Sequence, residues 1–292
     1  MNGSNSAVLP PYQPMPTPTN QFHRVFCIIS DERVFASKSP AVFNRVMTKA
    51  GINGTYVPFQ VSPKSLGDAV RSLRTLNITG ANIAVPYKEA VIPYVDVLSE
   101  SANIIGAVNT IAMAGDQLKG YNTNAIGIMD ALEDLDFNPA GKKALILGAG
   151  GAARAVAFVL NWLKAETIYI AGRNAPKTRN VASRVRGVPL SLEDLATDEF
   201  PAQILVNATT VSSTAESPEM ADLAQKLNIS GGELIFDLNY GRQPNIWQAL
   251  AESRGLRFMD GLPTLIHQAR NSLALWTNID VSVEDFRNAL TD

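Results

Sequence analysis

Lys88 heads the groups in this 292-residue chain that could move a proton. It follows Pro86 and Tyr87 at the expected start of a helix, where the positive end of the backbone dipole disfavours an ammonium group. A lysine there is either a solvated first-turn residue or a tuned one, its pKa drawn toward neutrality for general acid and base work. The run Ser37-Lys38-Ser39-Pro40 puts two hydroxyls at another helix start. Ser39 reads as N-cap and Pro40 as the first helical residue, and the same hydroxyls could donate to a ligand carboxylate. Asn109 and Asn122, each followed by threonine, read first as turn residues.

A second set of residues points to phosphate. Leu145-Ile146-Leu147 runs into Gly148-Ala149-Gly150-Gly151-Ala152-Ala153, a buried strand followed by a turn of small residues and a helix. Small residues let the backbone turn tightly and approach a pyrophosphate at the helix N-terminus. A second strand then ends Ile170-Ala171-Gly172-Arg173, placing a cation where a site for NAD carries a carboxylate. Arg173, with Lys177 behind it, could grip a 2′-phosphate, and the expected cofactor is NADP.

These side chains need elements to hold them. Arg24 opens a strand, and the pattern then alternates: helix over 40–50, strand over 55–61, helix over 64–76, strand over 81–85. The stretch 88–105 is expected to be mostly helical despite Pro93. A hairpin around Ala114-Gly115-Asp116 and a connecting helix over 122–135 follow. The second βα series begins at Lys143, with later strands at 204–207, 234–238 and 256–259. Helices over 262–276 and 283–290 are expected to pack back across the cleft. The fold class is therefore α/β: an N-terminal α/β substrate-binding domain beside a Rossmann-like doubly wound domain, with the ligand cleft between them. The expected division is a mobile tail over 1–21, a substrate domain over 22–122 completed by 262–292, and a nucleotide domain over 123–261.

Bulk properties exclude several classes. A hydrophobic content of 46% supplies a core for each domain, and a net charge of −2 gives no basic footprint for nucleic acid. Cys27 is the single cysteine and can staple nothing within the chain, which fits a reducing cytoplasm. No apolar run has the length of a membrane span, so no membrane partner is expected, and no metal site is expected either. The partner is a small molecule, and the protein is a monomer or homodimer.

Several motifs together carry a resemblance. The chain contains, in order, Ala36 to Pro40, Gly80-Ala81-Asn82-Ile83-Ala84-Val85-Pro86-Tyr87-Lys88, Gly106-Ala107-Val108-Asn109-Thr110 and Gly120-Tyr121-Asn122-Thr123-Asn124. The glycine turn, Asn207-Ala208-Thr209, Asp237 to Tyr240, and Asp260-Gly261-Leu262 with Gln268 follow. In this order the motifs resemble the shikimate dehydrogenase family, over nearly everything after residue 21. The resemblance implies an NADP-dependent enzyme of aromatic amino acid biosynthesis that reversibly reduces 3-dehydroshikimate to shikimate. It implies that Lys88 is catalytic, that Ser37 and Ser39 bind the substrate carboxylate, and that Asn109, Tyr240 and Gln268 make further substrate contacts. It also implies a cofactor set of Gly148, Ala149, Gly150, Gly151, Ala152, Arg173, Lys177, Leu238 and Gly261.

The departures bear on chemistry. The family's catalytic aspartate falls on Asn124 and a substrate-contacting threonine falls on Ala84. Ala36 stands where histidine is frequent, Gly172 where asparagine precedes the arginine, and Pro263 where a glycine lies near the cofactor. Losing the threonine hydroxyl costs roughly 1 to 3 kcal/mol of binding. Asn124 keeps an acceptor oxygen but no charge, which lowers the expected Lys88 pKa and weakens proton shuttling. Two further readings follow: a divergent enzyme acting weakly or on quinate or another ring hydroxy acid, and a catalytically silent NADP-binding regulator.

Overall fold

In the computed structural model, residues 22–197, 199–229 and 231–291 are described. The tail expected over 1–21 lies outside them. Two six-stranded sheets make the frame.

The first sheet contains β1 (Arg24–Ser30), β2 (Gly54–Gln60), β3 (Gly80–Ile83), β4 (Val97–Leu98), β5 (Thr110–Ala114) and β6 (Gln117–Tyr121). Its order is β2-β1-β3-β5-β6-β4. The β1 strand pairs in parallel with β2 and β3, while the β5–β6 hairpin runs antiparallel, with Asn82 opposite Thr110 and Thr110 opposite Tyr121. On one face lie α1 (Ser39–Lys49), α10 (Leu262–Thr277) and α11 (Val283–Thr291); on the other lie α2 (Leu66–Thr75) and α3 (Glu100–Ile105). The α10 face is aromatic: Trp276 stacks on Phe26 at 5.3 Å, and Phe43 stacks on Tyr56 at 4.5 Å. A Cβ on Gly80 would lie 2.1 Å from the Trp276 indole nitrogen, so that strand residue must be glycine for the helix to dock.

The second sheet contains β7 (Lys143–Leu147), β8 (Thr167–Ala171), β9 (Val188–Leu190), β11 (Ile204–Asn207), β13 (Leu234–Asp237) and β14 (Arg257–Met259). Every pairing is parallel, in the order β14-β13-β11-β7-β8-β9. This is the doubly wound order, whose reversal falls between β7 and β11. Ala144, Leu145, Ile146 and Leu147 are fully buried because helices cover both faces of the sheet, which is why β7 reads as a continuous apolar run. One face carries α4 (Thr123–Asp134), α5 (Gly151–Trp162) and α6 (Ala175–Arg184); the other carries α7 (Asp194–Thr197), α8 (Pro218–Lys226) and α9 (Ile246–Arg254). The short strands β10 (Glu199–Phe200) and β12 (Asn228–Ile229) pair beside them.

The α4 and α10 helices join the halves. Ala125, Ile128, Ala131 and Leu132 of α4 pack into the core of the second sheet, while Ile266, Ala269, Leu273 and Trp276 of α10 pack into that of the first. A Cβ on Gly127 would lie 2.8 Å from the Thr264 carbonyl, so the two helices touch backbone to backbone there. Among the described residues no helix is long and apolar enough to cross a membrane.

Two local expectations fail. The stretch after Lys88 is not a long helix: it runs through turns, a 3-10 turn at Ile92–Tyr94, β4 and only then α3. Pro93 removes a backbone donor and disfavours a helical conformation in the residue before it. Ser39 is not an N-cap: α1 begins at Ser39, Lys38 takes the cap position, and Ser37 Oγ accepts the Ser39 N–H at 3.2 Å.

Candidate active site

Lys88 is placed by the backbone around it. Its carbonyl accepts the Val108 N–H at 2.7 Å, and the Asn109 carbonyl accepts the Ile83 N–H at 2.8 Å, so the lysine turn is pinned to the segment entering β5. The side chain lies against the glycine turn, with Lys88 Cβ only 3.6 Å from where a Cβ on Gly151 would stand. Burial lowers the ammonium from 10.5 to about 8. The expected direction was right and its cause was not. No helix starts at Lys88, so desolvation does the work assigned to a helix dipole. Among the described residues no carboxylate forms an ion pair with it.

Asn109 and Asn124 meet. Asn109 Nδ2 donates to Asn124 Oδ1 at 3.1 Å, to Thr123 Oγ1 at 2.9 Å and to Gln268 Oε1 at 3.3 Å, while its Oδ1 accepts the Thr123 N–H at 2.7 Å. Asn109 is therefore a buried structural knot. Asn122 caps α4, accepting the Ala125 N–H, so the turn reading holds for that residue.

Behind this knot a chain of neutral polar groups runs through the core. Thr123 Oγ1 meets Thr110 Oγ1 and Ser272 Oγ, both at 3.1 Å, and Asn82 Nδ2 donates to each of those hydroxyls at 3.1 Å. Tyr56 donates its phenol proton to Asn82 Oδ1 at 2.8 Å and lies beside Ser39. Burial holds that phenol well above its ordinary pKa, so it stays neutral. Tyr56 and Asn124 thus stand at the two ends of one satisfied network. Such a network fixes side-chain positions because each member that loses a partner is left buried and unpaired. Sequence reasoning missed Tyr56, Asn82, Thr110, Thr123 and Ser272 as supports of the site.

The remaining substrate candidates are spread. Ser39 also faces Leu265, Ile266 and Ala269 of α10 across a small gap. Ser37 and Ser39 make no hydrogen bond to Asn109, Asn124 or Gln268. Tyr240 follows β13, with the Lys38 ammonium 5.9 Å from its ring centroid, so the serine turn and the end of β13 approach across the cleft. Ala84 is half-buried between the Ile29 carbonyl, which its N–H meets, and the Tyr87 N–H, which its carbonyl accepts. Its methyl packs against the core of the first sheet.

The phosphate candidates gather at the crevice between β7 and β11. Gly148, Ala149, Gly150, Arg173, Lys177 and Thr209 line a cavity of about 1030 Å³. Gly148 has φ +117°, and a Cβ there would lie 2.8 Å from the Ala208 carbonyl. Gly150 caps α5 with open space in front of it, room for a phosphate at the helix N-terminus. Arg173 and Lys177 are both exposed, at the α6 end that Asn174 caps. Gly261 passes so close to Leu238 that a Cβ would sit 2.1 Å from the Leu238 carbonyl. Gly151 and Ala152 form the first turn of α5. The open glycine cradle and the paired cations fit a phosphorylated dinucleotide. Among the described residues no group of three metal-ligating side chains occurs.

Known proteins share the sequence pattern and the fold. Residues 29–111 match the shikimate dehydrogenase substrate binding domain, and residues 131–260 match the shikimate / quinate 5-dehydrogenase family. A shikimate dehydrogenase (NADP(+)) of Desulforamulus reducens is 36% identical over 263 residues, which cover 87% of this chain and 90% of that protein. The crystal structure of the Aquifex aeolicus shikimate dehydrogenase superposes with a TM-score of 0.82 at 30% identity, covering 92% of this chain and 98% of that one. The Thermus thermophilus enzyme, solved in complex with NADP(H) and shikimate, gives a TM-score of 0.79 at 30% identity, with the same 92% and 98% coverage. With two family domains matched in order on a fold of this topology, the chain belongs to the shikimate dehydrogenase family.

Proposed function

We propose that this protein is an NADP-dependent shikimate dehydrogenase, reversibly reducing 3-dehydroshikimate to shikimate. The observation that carries the reading is Lys88: a half-buried amine with its pKa near 8, laid against the glycine turn, its carbonyl bonded to the Val108 N–H next to Asn109, whose amide in turn holds Asn124. When bound, NADPH supplies the hydride. Gly148 to Ala152 at the N-terminus of α5 would hold its pyrophosphate, Arg173 and Lys177 would hold its 2′-phosphate, and Leu238 and Gly261 would complete the cofactor site.

The chain's own groups handle the ring and the proton. Ser37, Ser39 and Tyr240 bind the carboxylate at one side, and Gln268 and Asn109 bind ring hydroxyls at the other. Lys88, protonated at neutral pH, donates its proton to the alkoxide that forms at the reduced carbon, and takes one back in the oxidation direction. Asn124 orients the ring hydroxyl through its amide and carries no proton itself. Because each step keeps the reacting groups in a desolvated cleft, the ammonium stabilises developing negative charge more strongly than it would in water.

The division we take is a substrate domain of residues 22–122 completed by 262–292 and a nucleotide domain of 123–261, working in the cytoplasm. The direct test is oxidation of NADPH by the purified protein with 3-dehydroshikimate. A rate no greater than the blank excludes the activity. Ala84 and Asn124 favour a second reading, an enzyme that prefers quinate or another ring hydroxy acid. Side-by-side turnover with shikimate and quinate separates the two, and a clear shikimate preference removes the second.

A further inference from the structure

The lysine turn is held from outside the substrate-binding half. Glu89, the residue after Lys88, pairs with Arg154 of α5: Arg154 Nη2 lies 2.8 Å from Glu89 Oε2. The Arg154 side chain is only 11% exposed, and its Nε has no hydrogen-bond partner among the described residues. A guanidinium so far withdrawn from water is held largely by that one carboxylate. Arg154 stands one turn into the helix whose first residue, Gly151, packs on the Lys88 stem. Beside it, Gly106 ends α3 in a left-handed conformation, and a Cβ there would lie 2.9 Å from the Arg184 guanidinium and 3.2 Å from that of Arg154. Arg184 in turn donates to the Ile104 carbonyl at 3.0 Å. Two arginines from α5 and α6 thus close on the segments that flank Lys88, and one of them has an ionic partner there.

We propose that Arg154 is a positioning residue: through Glu89 it docks the Lys88 turn onto the nucleotide-binding helix and fixes the distance between the amine and the glycine turn. This rests on the proposed role of Lys88, and it adds to that role a cross-domain ion pair that the site residues named above do not include. The pairing also occupies the carboxylate nearest Lys88 in sequence. A free Glu89 would compete for the ammonium and draw it off the reacting carbon. Catalysis tolerates small misplacements poorly, so a turn released from α5 loses turnover while the cofactor site stays intact.

The test uses the whole protein and two kinds of readout. Arg154→Gln and Glu89→Gln each remove the ion pair; glutamine at 89, a position 43% exposed, keeps an oxygen that accepts from the buried guanidinium, and a thermal unfolding scan of each variant verifies the fold. Hydrogen exchange followed by mass spectrometry reads the turn without any substrate. The expected result in Glu89→Gln is at least tenfold faster exchange at Val91 and Val108, whose N–H groups bond the Tyr87 and Lys88 carbonyls, with β13 unchanged. Turnover of 3-dehydroshikimate per NADPH-binding site is expected to fall about tenfold with the KM for NADPH within twofold, and Arg154→Lys to restore most of it. The double variant is expected to be no worse than the poorer single one, since both remove one interaction. Unchanged exchange at Val91 and Val108 in Glu89→Gln overturns the proposal, as do additive losses in the double variant. If the unaltered protein does not turn over 3-dehydroshikimate, the functional reading fails while the exchange result still decides whether the turn is docked by this pair.

Discussion

Asn109 Nδ2 donates to Asn124 Oδ1 at 3.1 Å, so the residue standing at the family's aspartate position is already held by the same amide that knots the first turn of α4 to β5. An aspartate fits that geometry without rearrangement, because its oxygen accepts the same bond. The change adds a charge and a group able to exchange a proton. Asn124→Asp is expected to raise turnover of 3-dehydroshikimate at least about tenfold, within the range positioned acid and base groups contribute. Steady-state NADPH oxidation checks it; an unchanged rate means the proton travels by another route.

The Lys88 amine titrates near 8 rather than 10.5. Reduction uses the ammonium, so kcat for 3-dehydroshikimate is expected to stay level below pH 8 and to fall about tenfold per pH unit above it. Oxidation of shikimate uses the free amine and follows the opposite limb, rising to pH 8 and then levelling. Paired pH-rate profiles in the two directions give the check, and a common profile for both would be inconsistent with a single shuttling amine.

The same burial carries a stability consequence. The folded-state value lies below the unfolded one, so the folded chain binds the proton less tightly. The cost of burying the ammonium is then fully present below about pH 8 and fades as pH rises toward 10.5. Lys88→Met removes that cost and keeps the packing of the stem on Gly151. It is expected to stabilise the fold by about 1 to 3 kcal/mol at pH 7, allowing for partial access of water, while abolishing turnover. Urea unfolding at pH 7 and pH 10 reads the difference, which shrinks at the higher pH.

Arg173 lines the nucleotide cavity and makes no ion pair among the described residues. A cation held for a phosphate loses little when the phosphate is missing. Arg173→Ala is expected to raise the KM for NADPH about 10- to 100-fold, as a charge-assisted contact implies, with the KM for NADH within twofold. Comparison of the two cofactors measures it.

Ala84→Thr adds a hydroxyl at a half-buried position four residues before Lys88. The expected effect is a KM for 3-dehydroshikimate lower by about tenfold with kcat within twofold, the value of one added hydrogen bond. A substrate titration decides, and a rise in KM would mean that the extra volume obstructs the ring.

Much of the frame is legible in local pattern. The run 145–147 announces a strand covered on both faces, and Gly148 to Ala153 announces the turn and helix start, because those features depend on neighbours in sequence. Arg173 falls at the end of β8 for the same reason. In the stretch after Lys88 the apolar residues repeat like a helix while Pro93 forbids one. Short local signals conflicted there, and the contact of the turn with Val108 decided.

By itself the sequence determined the sheet order's raw material, the glycine turn, the cation at the end of β8 and the residue types at each motif, since strand burial, turn geometry and phosphate affinity follow from adjacent side chains. Only the tertiary structure decided how the motifs meet. Tyr56, Asn82 and Ser272 join across 26 and 190 residues of chain, Glu89 finds Arg154, and burial rather than a helix dipole sets the Lys88 amine. Desolvation and long-range pairing are properties of a packed volume, and no window along the chain contains them.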